Sequence, residues 1–557
     1  MSRRATGPSL ARFVDIRGEP RDQRVRSAGV DLTQGRHTHT KYTTGNNIVN
    51  VVGSEVSGYM LLGRILAQTA TRCPDNEAMV QGERRLTYDE WYGRVNRVAS
   101  ALADLGVEAG DRVGILTRNR IEQATTYFAA QQCGAVAVPM NYRLSPDDLV
   151  HVVTTAETSV LLYDEELAAL VADNSDDLTP VAHYFSTGDD PSLGEPFAVL
   201  GEDAPATAPD DADIDPTDLA VMMHTSGTTG RPKLVETDHR SVWANAMACL
   251  SEFDYRQSDR SLHVAPMFHS ADYLNVLVPS VLAGATNVIQ PHFDAEQTLN
   301  VFGSESITAM LGVPTHLKRM MDAGGEEYDT SSLRIVLSSG APIPDDVAEW
   351  ISTALCERHY NAYGLTETTG MVTLRDSSMP ASRPSDYCIG KPFLNVDVRI
   401  IELDDGAAPT DTVEQGERGR LIVRAPKLMH GYYEQPEKTA QTLHGEWLYT
   451  NDIALLGEDG RYYMFDRIDN VVISGGENIY PLEVERALRA HPDIKDCAVI
   501  GEQDDDLGER IVAYVVSADD SLSERDIEDY WRHEQTAVAD YKRPRAVHFV
   551  DELSDIA

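Results

Sequence analysis

Lysine is scarce in this 557-residue chain: eight in all, Lys41, Lys233, Lys318, Lys391, Lys427, Lys438, Lys495 and Lys542. Lysine and arginine together number 48 against 89 aspartates and glutamates, a net charge of -41. No basic face is apparent, which argues against nucleic acid as a partner. The six cysteines (Cys73, Cys133, Cys249, Cys356, Cys388, Cys497) are scattered without a C-x-x-C pair. That pattern suggests neither a zinc site nor a disulfide framework and reads as reduced intracellular thiols. Long apolar runs are missing too. Stretches such as 276–285 fall far short of the roughly 18 residues of a membrane span, so no transmembrane segment is expected. The N-terminal arginines precede no apolar block, so no secretory signal is expected. No internal repeat is evident. The excess acid is spread along the chain. Such a surface repels itself in dilute buffer and is tolerated where salt screens it, the Debye length being about 3 Å at 1 M. The expectation is a cytoplasmic protein of a salt-adapted, halophilic cell.

The length implies two or more domains. Residues 1–59 carry nine Lys/Arg against five Asp/Glu, few periodic apolar positions and clusters such as TTGNN. They are expected to be a disordered N-terminal extension, with the natural start near Met60. From 86 the patterns alternate: helix around 88–105, strand 112–116, helix 120–132, strand 135–138. This βα alternation argues a parallel sheet covered by helices. An acidic Pro/Ala linker spans 201–218. A second domain is expected from Asp469, with a helix and strand in ENIYPLEVERALRAHPDIKDCAVIG, a strand at 514–516 and a helix around 523–534.

The most informative run is HTSGTTGRPK, 224–233. Thr225, Ser226, Thr228 and Thr229 surround Gly227 and Gly230, and Lys233 follows Pro232. The apolar stretch Leu219 to Met223 reads as a strand and Asp238 through Leu250 as a helix. A loop between them, rich in hydroxyls and glycine and closed by a lysine, suits a polyphosphate. It lacks the adjacent Gly-Lys-Ser/Thr of a Walker loop.

The run closely resembles the phosphate-binding signature of the adenylate-forming superfamily, which includes acyl- and aryl-CoA synthetases and peptide-synthetase adenylation domains. Further motifs follow in that family's order, and the resemblance extends from about residue 60 to the C-terminus. It implies an α/β fold: a large N-terminal adenylate-forming domain with parallel-sheet subdomains over 60–468, and a small mobile α+β C-terminal domain over 469–557. PMFHS, 266–270, places His269 where the family's histidine lines the acyl pocket. SSGAPIP, 338–344, resembles the segment against adenine, with Gly340, Ala341 and Pro342. In NAYGLTETTG, 361–370, Asn361, Ala362, Tyr363 and Gly364 precede Thr366 and Glu367. Tyr363 is suited to stack on a purine, Thr366 to donate to the α-phosphate, and Glu367 to hold Mg²⁺ through a carboxylate oxygen. Asp452 resembles the carboxylate that accepts both ribose hydroxyls, and Arg467 the ribose-contacting arginine. The family usually has Gly where Asn451 stands. Asp469 resembles the hinge, and Gly475 and Gly476 would pass the pantetheine arm of CoA. The family's last landmark is a lysine after Pro-x-Thr-x-x-Gly. No lysine follows Lys542 here, and slow adenylation is the corresponding expectation.

The resemblance implies an AMP-forming acid:CoA ligase. It activates a carboxylic acid, a fatty acid being favoured over an aromatic one, with ATP, Mg²⁺ and CoA as the other reactants. The catalytic set is Lys233, Thr366, Glu367 and His269. Two other readings compete: a protein that binds ATP or acyl-adenylate with weak turnover, and a phosphate-loop kinase or ATPase, which would release ADP. Oligomeric state is left open, a homodimer among the options.

Overall fold

The computed structural model describes residues 41–44, 47–50 and, from 58 to 553, all but 210–212, 226–230, 326, 379–387, 405, 475–476, 505–506, 520, 534 and 536–537. Two units are described separately. In Met1–Gly53, strands Lys41–Thr44 and Asn47–Asn50 pair antiparallel, Lys41 opposite Asn50. The strand segments include the β-favouring Tyr42, Ile48 and Val49. The rest of the segment expected to be disordered, 1–59, apart from 58–59, lies outside the described residues.

In Ser54–Ala557 the βα alternation appears as expected. Helices Tyr88–Asp104 and Ile121–Gln132 alternate with strands Arg112–Leu116 and Val136–Pro139. Thr87 starts the first helix through a capping box with Glu90, which satisfies backbone donors that would otherwise be orphaned. Trp91 and Phe128 meet edge to face at 5.3 Å between the two helices, both fully buried. The strands Val136–Pro139, Arg112–Leu116, Thr158–Tyr163 and His183–Ser186 run parallel in that order. Leu219–Thr225 joins beside Val136–Pro139, also parallel.

A second sheet has a parallel core in the order Thr286–Ile289, Arg260–His263, Ala309–Leu311, Ile335–Ser339 and His359–Leu365. There the chain reverses through Thr366–Thr368 into the antiparallel strand Gly370–Asp376. Near the C-terminus, strands Val472–Ser474, Glu477–Ile479, Ile494–Asp504, Gly508–Ser517 and Ala546–Phe549 form a separate sheet. Helices Pro481–Arg489 and Glu524–His533 cover it. Val484, Leu488, Cys497, Val515 and Trp531 form its own core. The six cysteines are free. No helix among the described residues is long and apolar enough to cross a membrane.

One local expectation is corrected. The 224–233 run does not lead from strand to helix. It joins two antiparallel strands, Leu219–Thr225 and Lys233–Asp238, with Thr225 opposite Lys233. The helix begins only at His239, capped by Asp238, whose carboxylate accepts from Ser241 N–H. The adjacent Leu234 and Val235 are both buried, so the strand is covered on both faces, while Lys233 and Glu236 stay partly open.

Candidate active site

The second sheet ends its parallel run at a cavity of about 620 Å³ lined by Thr225, Lys233, His269, Gly340, Gly364, Thr366, Glu367, Asp452 and Arg467 among others. These residues come from strand ends and turns as far apart in sequence as 225 and 467. An adjoining cavity of about 900 Å³ shares Gly340, Gly364, Asp452 and Arg467 and adds Ala341, Pro342, Asn361, Ala362 and Tyr363. Its far wall is the C-terminal part of the chain, including Pro481, Leu482 and Glu485. Every candidate residue within the described part, apart from Asp469, therefore lines one of two connected spaces. Ser226, Gly227, Thr228, Thr229 and Gly230, and likewise Gly475 and Gly476, lie outside the described residues.

On one side, Asp452 faces Arg467 across the hairpin of Trp447–Leu456 and Tyr462–Arg467, with Arg467 Nε 3.8 Å from Asp452 Oδ1. Tyr363 donates its hydroxyl to Asp452 Oδ2 at 2.5 Å. Burial raises the pKa of Asp452 above the usual carboxylate value, outweighing the hydrogen bond from Tyr363 and the charge of Arg467. Burial likewise raises the Tyr363 phenol, helped by Asp452. Asn361 donates to Ala341 O at 2.9 Å and so ties the strand to the turn after Ile335–Ser339. Gly364 is required by close approach: a Cβ there would stand 2.3 Å from Gly370 O.

On the other side, Glu367 Oε1 accepts from the Tyr432 hydroxyl at 2.8 Å and its carbonyl from Met429 N–H at 2.9 Å. Its second carboxylate oxygen has no partner among the described residues, and it is an oxygen donor of the kind a hard divalent cation takes. Lys233 stands 5.7 Å from the centre of the Tyr432 ring. Burial and then the nearby Lys438 lower the Lys233 pKa, against the pull of Glu367. His269 Nδ1 accepts from Ala271 N–H at 3.1 Å, leaving Nε2 for the cavity. Its ring is open to the cavity yet walled by protein, and that desolvation lowers its pKa. His224 is held down further, at about 4, by burial and then by His269. Its Nε2 accepts from Asn141 N–H at 2.9 Å. Asp469 accepts from Asn451 Nδ2 at 2.7 Å, so the asparagine at the position where glycine was the expected type contacts the candidate hinge.

Tyr432, Met429, Lys438 and His224 were not anticipated from sequence. Tyr432 meets a carboxylate 65 positions away, and no periodicity or spacing signals such a contact.

Residues 66–433 match the AMP-binding enzyme family, and 483–556 match the AMP-binding enzyme C-terminal domain. A feruloyl-CoA synthase of Amycolatopsis is 35% identical over 88% of this chain and 95% of its own length. A long-chain-fatty-acid–CoA ligase of Mycobacterium tuberculosis is 32% identical over the same shares. An anthranilate CoA ligase solved with anthranoyl-AMP superposes with a TM-score of 0.79 at 27% identity, covering 88% of this chain and 93% of that one.

Proposed function

Since the chain belongs to the AMP-binding enzyme family, we propose that it is an acid–CoA ligase that consumes ATP and forms AMP. The observation that carries this reading is the convergence of Lys233, Thr366, Glu367 and His269 with the Asp452–Arg467 pair on one cavity. A carboxylate oxygen of the acid attacks the α-phosphorus of ATP in line. The bond from that phosphorus to the bridging oxygen breaks, giving acyl-adenylate and pyrophosphate. The thiol of CoA then attacks the acyl carbon, its proton passes to solvent, and AMP leaves with the bonding pair.

In this reading Lys233 and Thr225 face the leaving phosphates, and Thr366 donates to the α-phosphate. Glu367 would hold Mg²⁺ through its oxygens, and the cation, when bound, would neutralise charge on the phosphates. Asp452 accepts from the ribose hydroxyls, which needs an acceptor with two oxygens. Gly340 to Pro342 and Asn361 to Gly364 lie against adenine. His269 lines the pocket of the acid. Residues 60–468 and 469–557 are taken as the large and small domains, hinged at Asp469, with Gly475 and Gly476 assigned to the CoA arm.

For the acid, the Mycobacterium relative supports a fatty acid and the Amycolatopsis relative an aryl acid. Dodecanoate and ferulate, assayed side by side, separate the two. AMP release that requires acid, ATP and CoA together is the expected result, and release of ADP would overturn the reading. The net charge of -41 supports a high-salt cytoplasm. Unfolding temperature should then rise between about 0.05 M and 2 M salt, and no rise would count against it.

A further inference from the structure

Behind the cavity sits a cation that this reading leaves unused. Lys427 is fully buried. Its ammonium donates to Asn245 Oδ1 and to Met371 O, each at 2.6 Å, and lies 4.9 Å from the centre of the Phe393 ring. No carboxylate pairs with it among the described residues. Desolvating an unpaired ammonium is costly, and burial lowers its pKa to about 7. An apolar side chain of the same length would fill the space without that cost, so packing alone does not explain a lysine here.

Two sets of contacts lead from Lys427 to the site. One passes through asparagines. Asn245 Nδ2 donates to Leu274 O at 2.8 Å and to Asn275 Oδ1 at 3.1 Å. Asn275 Nδ2 donates to Ala271 O at 3.0 Å, and Ala271 N–H donates to His269 Nδ1. The other runs along the chain. Met429 N–H holds the Glu367 carbonyl and Tyr432 holds its carboxylate. His430 N–H bonds to Glu236 O, and Tyr432 pairs with Val235. Residues 427–432 thus form a strap over Glu367, fastened to a strand at one end and to Lys427 at the other. The turn it crosses has no slack, since a Cβ on Gly370 would stand 2.6 Å from Asn275 Oδ1.

We propose that Lys427 is a positioning residue. By clamping Asn245 and the Met371 carbonyl, it anchors the strap that sets Tyr432 against Glu367 and braces the turn that presents His269. This deepens the functional reading and rests on Glu367 as the Mg²⁺ ligand.

The test uses the full chain and needs no acid. ATP binding is followed by calorimetry while Mg²⁺ is titrated, and ATP binding in EDTA is measured in parallel. Lys427→Met should raise the half-saturating Mg²⁺ concentration about tenfold or more, the scale seen when a ligand's supporting partner is lost. Affinity in EDTA should be unchanged. Lys427→Gln, whose amide can donate but lacks the reach and charge, should give a smaller shift and serves if the methionine variant does not fold. An unshifted midpoint in a folded variant overturns the proposal. So does unfolding of both variants, which would assign Lys427 to stability alone. A wild-type chain that binds no MgATP defeats this proposal together with the functional reading. A wild-type chain that binds MgATP and shows the shift, yet makes no acyl-CoA, leaves Lys427 in this role and defeats only the ligase reading.

Discussion

The two walls of the cavity are built differently. The wall with Asp452 and Arg467 belongs to one hairpin, whose strands place the two side chains opposite each other. The wall with Glu367 is a tertiary construction, in which a turn is held by Met429 and Tyr432 from a segment more than 60 residues on. The first is therefore robust in position but electrostatically strained, because burial of the Asp452 carboxylate outweighs the charge of Arg467, 3.8 Å away. The second puts its carboxylate where one oxygen is left over for a ligand, and depends on distant packing to keep it there.

Breaking the tertiary wall should have the largest effect. Glu367→Gln keeps the shape and removes the charge. Adenylation, read as ATP–pyrophosphate exchange, should fall about 10²–10³-fold, the scale of losing one preorganised stabiliser of developing charge. An unaltered rate and Mg²⁺ dependence would show that Glu367 is not the ligand.

Asp452→Asn should act on binding. The KM for ATP is expected to rise roughly tenfold or more, since one charged acceptor is lost, with each 1.4 kcal/mol a factor of ten, and kcat should change less. The same substitution should stabilise the fold at neutral pH. A carboxylate whose folded pKa is raised favours folding at low pH and loses that contribution as pH rises through the raised value. Asparagine escapes the loss. The gain in melting temperature should thus be present at pH 7 and vanish as pH falls below the raised pKa. A variant less stable at pH 7 would contradict the burial argument.

Tyr432→Phe sharpens the comparison at smaller cost. It removes one hydrogen bond to a charged group, worth about 1.5–3 kcal/mol in general. The half-saturating Mg²⁺ concentration should increase several-fold while ATP binding in EDTA holds. Tyr363→Phe, the matching change on the other wall, should leave Mg²⁺ dependence untouched and raise the pKa of Asp452 further, because the hydrogen bond that lowers it is gone. Titration of the Asp452 carboxyl by NMR would read this, and a shift downward would refute it.

On the hairpin wall, Asp452 and Arg467 were picked out by the family resemblance of their motif, while the hairpin that sets them opposite each other came with the structure. The helix Tyr88–Asp104 was legible from its periodicity, and the Thr87–Glu90 capping box that starts it was seen in the structure. The strand Lys233–Asp238 was not legible: it was absorbed into the loop-to-helix reading, since six residues with only one adjacent apolar pair and no period of two give little strand signal beside a Gly-rich run. Tyr363 was read as a flat surface for a base, but which atom its hydroxyl would meet depended on a strand 89 positions away.

By itself the sequence determined the family, through motif order and residue type, the α/β class, through alternating periodicities, and the acidic surface, through composition. These are properties of neighbours along the chain, where sterics, capping and hydrophobic period act over a few residues. Only the tertiary structure decided that Lys427 is buried with no carboxylate beside it among the described residues, that Tyr432 rests on Glu367, and that Asp452 carries a raised pKa. Each of those depends on desolvation and on contacts closed over long loops, and neither quantity is written in the order of the residues.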